Sequence, residues 1–212
     1  AATTFLGCVG VAAVSVSLEN LIIVQPSTNA TIYGLDDRGS LNSTRNNIII
    51  VKDNVNACAG FRCANLKKTY VNCNAHAFGT QTGSFGFTTA YTSISLVNCI
   101  SLGFTTDYKD INDGIGAATR NCATHMSITA SRLSVVTSAQ FDVSGAAEFE
   151  NYSSFSAVDL RLKSTAIQLL DTGYNATGTT SDILRNSISN SIRDIGAFEY
   201  QQVSGGGGGG GS

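Results

Sequence analysis

The stretch "VNCNAHAFG", Val71–Gly79, is answered further along by "VNCISLGF", Val97–Phe104, and again by "RNCATHMS" from Arg120. The three Asn-Cys pairs, Asn72-Cys73, Asn98-Cys99 and Asn121-Cys122, stand at intervals of 26 and 23 residues. A period of this size marks a repeat architecture, in which each unit buries its apolar face only against its neighbours. The period extends backwards, because "NLIIV" begins at Asn20 and "NIIIV" at Asn47, so successive asparagines are placed at 20, 47, 72, 98 and 121. "GFTT" also occurs twice, at Gly86 and Gly103.

The residues inside the unit decide the kind of solenoid. Leu21 to Val24 and Ile48 to Val51 are short runs rich in β-branched side chains between Asn, Ser, Gly and Asp, with no 3.6-residue periodicity sustained over a dozen positions. Helical repeats are disfavoured. The spacing of a leucine-rich repeat is absent, and a chain without Trp has no propeller-type Trp-Asp pair. The expectation is all-β: a parallel β-helix of about five to six rungs, with the repeated Asn at a left-handed turn position and forming a ladder. Beside it, the cysteines are read as an inward stack of buried thiols. A disulfide joining Cys58 to Cys63 is the alternative for the six cysteines, which contain no C-x-x-C pair for zinc or redox chemistry.

Composition limits the partners. Of 212 residues 42% are hydrophobic, enough for a core, and only 13% are charged, with a net charge of -2. There is no basic footprint for a phosphate backbone, so nucleic acid is not an expected partner. The most apolar window, Phe5 to Leu18, is too short and too alternating to span a membrane.

The C-terminal segment "LRLKSTAIQLLDTGYNATGTTSDILRNSISNSIRDIGAFEY", Leu160 to Tyr200, resembles the C-terminal cap of right-handed parallel β-helix proteins of the pectate-lyase-like superfamily. Asp194, Ile195, Gly196, Ala197, Phe198, Glu199 and Tyr200 match the family's closing Asp-Ile-Gly-Ala-aromatic-Glu-Tyr block, whereas Thr165 stands where the family has Pro and "DILRNSI" has lost its Gly, Pro and Arg. The resemblance implies a right-handed solenoid closed by a cap. The expected organisation is rungs over 1–159, a cap over 160–202 and a flexible Gly-rich tail over 203–212. In the cap, Ile195, Ala197 and Phe198 are expected to pack onto the last rung, Gly196 to allow close backbone approach, and Asp194 and Glu199 to stay at the rim.

Acidic residues are the first place to look for catalysis on a β-helix. The candidates are Asp36 and Asp37, with Asp107 and Asp110 in "DYKDIND"; Asp107, Asp110 and Asp113 are also the candidates for Ca²⁺. An EF-hand would need an acidic residue where Lys109 stands. The polygalacturonate hydrolases that the fold resembles carry several further motifs, of which only Asp36-Asp37 and "RLK" at Arg161 to Lys163 have counterparts. No cofactor is expected. His76 and His125 follow repeated Asn-Cys pairs at nearly equivalent rung positions about two rungs apart, and are read as turn or surface imidazoles. The aromatic cluster Phe78, Phe85, Phe87, Tyr91 and Phe104 is read as core stacking, against a sugar-binding platform.

The resulting expectation is a non-catalytic extracellular structural or adhesion β-helix protein. It would be a bacteriophage virion component (fibre, spike or capsid decoration) or a bacterial surface protein, with other structural proteins and glycans as partners. A homo-oligomer is left open. The alternative is a polysaccharide lyase or glycoside hydrolase acting along the groove.

Overall fold

The structure, a computed structural model, describes residues 3–6, 9–11, 17–25, 33–38, 43–54, 59–64, 68–89, 94–109, 119–125, 136–137, 143–175, 180–188 and 192–201. Three long parallel sheets run along the molecule. The first contains β1 (Thr3–Leu6), β4 (Leu21–Gln25), β7 (Ile48–Asn54), β10 (Asn74–Gln81), β13 (Ile100–Leu102) and β16 (Ala123–Thr124), in that spatial order. The second stacks β2 (Val9–Val11), β5 (Tyr33–Asp37), β8 (Ala59–Cys63), β11 (Phe85–Thr89) and β14 (Thr106–Lys109). The third stacks β3 (Ser17–Glu19), β6 (Ser43–Arg45), β9 (Lys68–Val71), β12 (Ile94–Val97), β15 (Thr119–Arg120) and β17 (Val136–Thr137). Up to β16 every third strand returns to the same sheet, which is the topology of a parallel β-helix, and β17 then adds to the third sheet beside β15. No helix among the described residues is long and apolar enough to cross a membrane.

The turn between the third and first sheets sets the register. Asn20, Asn46, Asn72, Asn98 and Asn121 all adopt positive φ, between 51° and 60°. Asn is one of the few side-chain-bearing residues that visits this region readily. Their amides form the expected ladder: Asn72 Nδ2 donates to Asn46 Oδ1 and Asn98 Nδ2 to Asn72 Oδ1, each at 3.0 Å across 26 residues. The ladder residue in the second unit is Asn46, not Asn47. Asn47 occupies the next column, facing inward with Leu21, Cys73, Cys99 and Cys122, where its amide accepts from Leu21 N and donates to Leu18 O, both at 2.9 Å.

The first sheet has two apolar faces. Its inward positions, such as Ile23, Ile49 and Ala75, join Leu35, Phe61, Phe87 and Tyr108 in the solenoid interior. Phe61 and Phe87 stack there at 4.7 Å and Phe87 and Tyr108 at 5.6 Å, so the stacking reading holds for Phe87; Phe104 is also in this core. Tyr91 lies outside the described residues. Cys63, Cys73, Cys99 and Cys122 are buried thiols; Cys8 and Cys58 lie outside the described residues. Burial pushes the Cys73 thiol well above its ordinary pKa.

The outward positions of the same sheet, Ile48, Ile50, Phe78, Ile100, Leu102 and Ala123, are covered by the chain from Val143 onward. This covering layer includes a helical turn, Gly145–Glu148, and an antiparallel pair, β18 (Phe149–Asn151) and β19 (Asp159–Leu162). Residues 143–159, expected among the rungs, thus belong to the cover.

"DIGAFEY" is part of that cover and lies along the flank of the solenoid. Gly196 N donates to Asn98 O and Ala197 N to Asn74 Oδ1, both at 2.9 Å. The block therefore sits on middle rungs, where the outward isoleucines offered apolar surface, and not on the last rung as expected. Gly196 has φ of 110° and a Cβ there would lie 2.6 Å from Ile100 Cδ1, so close approach does require glycine. Asp194 and Glu199 are not at a rim: they are only 3% and 6% exposed. Their carboxyls satisfy backbone that the irregular cover would otherwise bury unpaired. Asp194 Oδ1 accepts from Asp171 N at 2.7 Å, Asp194 Oδ2 from Tyr200 N at 2.6 Å, and Glu199 Oε1 from Asp194 N at 3.2 Å. The cover also grips the ladder, with Asn98 Nδ2 donating to Tyr174 O at 2.7 Å and Asn121 Nδ2 to Thr172 O at 2.6 Å.

Candidate functional site

The interior changes character at the fourth rung. Gly34, Gly60 and Gly86 occupy one column of the second sheet, and a Cβ would lie 2.3 Å from Ile49 Cγ2 at Gly34 and 1.8 Å from Ser101 Oγ at Gly86. The first and second sheets approach too closely there for any side chain. The strand after Gly86 pairs Phe85 with Thr106 and Phe87 with Tyr108, so the next member of the glycine column is Asp107. Across from it, the column Ile23, Ile49, Ala75 continues as Ser101 and Thr124. An apolar contact between sheets is thereby replaced by a carboxylate and two hydroxyls.

Asp107 is fully buried, and its oxygens are engaged. Ser101 Oγ lies 3.1 Å from Oδ1, the Thr124 hydroxyl donates to Oδ2, and His125 Nδ1 lies 2.8 Å from Oδ2. Gly103 N also points at Nδ1, at 3.4 Å; the shorter contact to the Asp107 oxygen, an acceptor, favours the tautomer in which Nδ1 carries the proton and Nε2 is left as the basic nitrogen. The hydrogen bond to Asp107 raises the His125 pKa above its ordinary value, against a smaller opposing effect of burial. The His125 side chain is 40% exposed and opens onto a cleft of about 450 Å³, lined also by Leu102, Gly103, Val143, Ser144, Gly145, Ala146 and Tyr152. A buried acid thus orients a solvent-facing base.

His76 sits differently. Register pairs it with Leu102, and the pairing of Ser101 with Thr124 brings His125 to the far side of Leu102, so the two histidines do share a column two rungs apart. His76, however, is fully buried under the cover, not at a surface turn. Its Nδ1 lies 3.2 Å from Tyr152 Oη, and the rings of Phe149 and Tyr152 stand 5.2 and 5.6 Å away. Its Nε2 has no hydrogen-bond partner among the described residues, and burial lowers its pKa to about 3. The outward apolar stripe, which the cover had to bury, takes the imidazole with it.

The remaining acidic candidates do not converge. Asp36 is held 2.7 Å from Arg38 Nε and 3.2 Å from Arg62 Nη1. Asp37 is fully buried in the strand position that pairs with Cys63. Asp110 and Asp113 lie outside the described residues, and both oxygens of Asp107 are engaged as described. Among the described residues no group of three His, Cys, Asp or Glu side chains is placed to hold a metal ion. Arg161 of "RLK" is paired with Asp159 at 2.5 Å on the surface. A second cleft, of about 430 Å³, lies over the cover between Glu150, Arg161, Asp182, Phe198 and Glu199. Desolvation lifts the Glu199 carboxyl to about 7, and its nearest cation, Arg193 Nη2, is 3.7 Å away.

Asp107 was thus among the expected candidates, while its pairing with His125 was not. Compared with protein-family models, with curated proteins and with solved structures, the chain matches none.

Proposed function

We propose that this β-helix is an extracellular structural or adhesion module, serving as a fibre, spike or capsid-decoration component of a bacteriophage virion or as a bacterial surface protein. The observation that carries this reading is the double fastening of the solenoid. The Asn ladder ties the turns from Asn20 to Asn98, and the cover that shields the first sheet is hydrogen-bonded to the same column of turns at Asn46, Asn98 and Asn121. Such a stack resists local opening because its described strands are paired from rung to rung in three sheets. A sparsely charged, amide- and hydroxyl-rich surface suits contact with neighbouring structural proteins and glycans. The resemblance of Leu160 to Tyr200 to the caps of the pectate-lyase-like superfamily agrees with this setting.

A glycosidase acting along the groove needs two carboxylates facing one sugar ring. Asp36 is committed to two arginines and Asp37 is buried, so that reading has less support. Immunogold electron microscopy of the producing cells and of the particles they release tests the proposal. Label on virions or on the cell exterior is the expected result; label confined to the cell interior overturns it. Cleavage of acidic or neutral glycans by the purified chain would favour the groove enzyme instead.

A further inference from the structure

We infer that the cleft beside His125 is a hydrolytic site for small neutral acyl esters, with Ser144 as nucleophile, His125 as base and Asp107 as the residue that positions His125. This goes beyond the scaffold reading and does not depend on it.

Three observations lead here. The first is the polar break in the interior: the glycine column and its apolar partner column change together at Asp107, Ser101 and Thr124, the two hydroxyls holding the Asp107 side chain and Asp107 holding one imidazole. A rung that needed only to pack could have repeated Gly86 and Ala75. A buried carboxylate with three partners whose only solvent-facing member is a basic nitrogen is the arrangement that general-base catalysis requires. The second is Ser144. It lines the same cleft as His125, it is exposed, and its side chain makes no capping bond to the helical turn that follows. Its hydroxyl is therefore not committed to that turn. The third is the lining. Among the described residues the cleft is walled, besides His125 and Ser144, by Leu102, Val143, Tyr152 and small residues, with no carboxylate and no Lys or Arg. This described lining offers an anionic phosphoester or uronate no counter-charge, and it offers a neutral acyl group apolar walls.

The chemistry closes without a co-reactant other than water. Ser144 Oγ adds to the ester carbonyl carbon as its proton passes to His125 Nε2, giving an imidazolium whose Nδ1–H remains on the Asp107 carboxylate. The C–O bond to the alcohol breaks and the alcohol leaves with the proton from Nε2. Water then attacks the acyl-Ser144 ester, again giving its proton to Nε2, and the acid departs as that proton returns to Ser144 Oγ.

The test uses the full chain with p-nitrophenyl acetate, and separately with a fluorophosphonate probe followed by peptide mapping. Ser144→Ala and His125→Gln are compared with wild type, with circular dichroism as the check on folding; Ser144 is exposed, so its variant keeps the fold. The expected result is a burst of nitrophenolate, a fluorophosphonate adduct on Ser144, and a loss of roughly 100-fold or more in turnover in each variant. Wild-type turnover should rise with pH as His125 loses its proton and then level off. Absence of an adduct on Ser144, or a Ser144→Ala rate within about twofold of wild type, overturns the proposal, as does turnover no faster than free imidazole supports. Neither outcome bears on where the protein resides, so failure here leaves the scaffold reading standing.

Discussion

Replacing Asn72 separates two roles that the Asn ladder combines. Asn72 is fully buried, has φ of 52°, donates to Asn46 Oδ1 and accepts from Asn98 Nδ2, each at 3.0 Å. Asn72→Ala loses two hydrogen bonds, about 1 kcal/mol each, and places a Cβ-bearing residue without a local hydrogen bond in the left-handed region, about 1 to 2 kcal/mol more. The sum is about 3 to 4 kcal/mol. Asn72→Gly removes the conformational strain but not the lost bonds, and adds roughly 0.5 to 1 kcal/mol of backbone entropy, for about 2.5 to 3 kcal/mol. Asn20→Gly is the control, because among the described residues the Asn20 amide meets Asn46 Nδ2 alone, at 3.4 Å. One weak hydrogen bond and the same backbone entropy make its cost about 1 to 1.5 kcal/mol, roughly half as large. Urea unfolding followed by far-ultraviolet circular dichroism measures all three. If the asparagines serve only as turn formers, Asn72→Gly will be near wild type and equal to Asn20→Gly, and the ladder argument fails.

His76 is neutral in the fold, its pKa lowered from 6.5 to about 3, so the unfolded chain takes up the proton first. Its contribution is intact above pH 6.5 and is lost as pH falls toward 3, by on the order of 4 to 5 kcal/mol, and urea titrations of His76→Leu should show a flatter acid limb. Glu199 has the opposite sign: with its carboxyl raised from 4.5 to about 7, its contribution is fullest below pH 4.5 and declines as pH rises through 7, a slope that Glu199→Gln should remove. Phe198→Ala should cost about 3 to 5 kcal/mol in thermal or urea unfolding, because the ring is buried against the flank of the first sheet. Thiol titration under denaturing, non-reducing conditions should find at least the four buried thiols among the six cysteines, and slow reaction of those four in the native protein.

The solenoid was legible because a rung repeats its constraints. Only a few residues accept positive φ, so the turn asparagine recurs, and the β-branched runs recur beside it. The doublet Asn46-Asn47 obscured which residue was the turn, although the strict 26-residue spacing from Asn20 to Asn46 to Asn72 points to the first. The place of "DIGAFEY" was less legible. A cap sequence shows that apolar surface must be covered but not which surface, and the alternation in Ile48, Ile49, Ile50 and Val51 meant that this strand was apolar on both faces. A strand hydrophobic on both faces needs cover on both, which is the signal that placed the cover on the flank. The Asp107–His125 pair left a fainter trace. Gly34, Gly60 and Gly86 keep the 26-residue spacing, and its end, followed by a shortened interval to Asn121, marks the rung where the polar cluster replaces the glycine column.

The central claim is the rung register itself, and a distance along one column tests it most directly. Glu19, Arg45, Val71, Val97 and Arg120 are successive partners in the third sheet. Nitroxide amino acids placed at Glu19 and Arg120 should therefore be separated by four strand spacings, roughly 19 Å between backbones before the side-chain linkers are added. A narrow distribution around that value in a double electron–electron resonance measurement is the predicted result. A broad distribution, or a mean beyond about 30 Å, would contradict the stacked register from which every other conclusion is built.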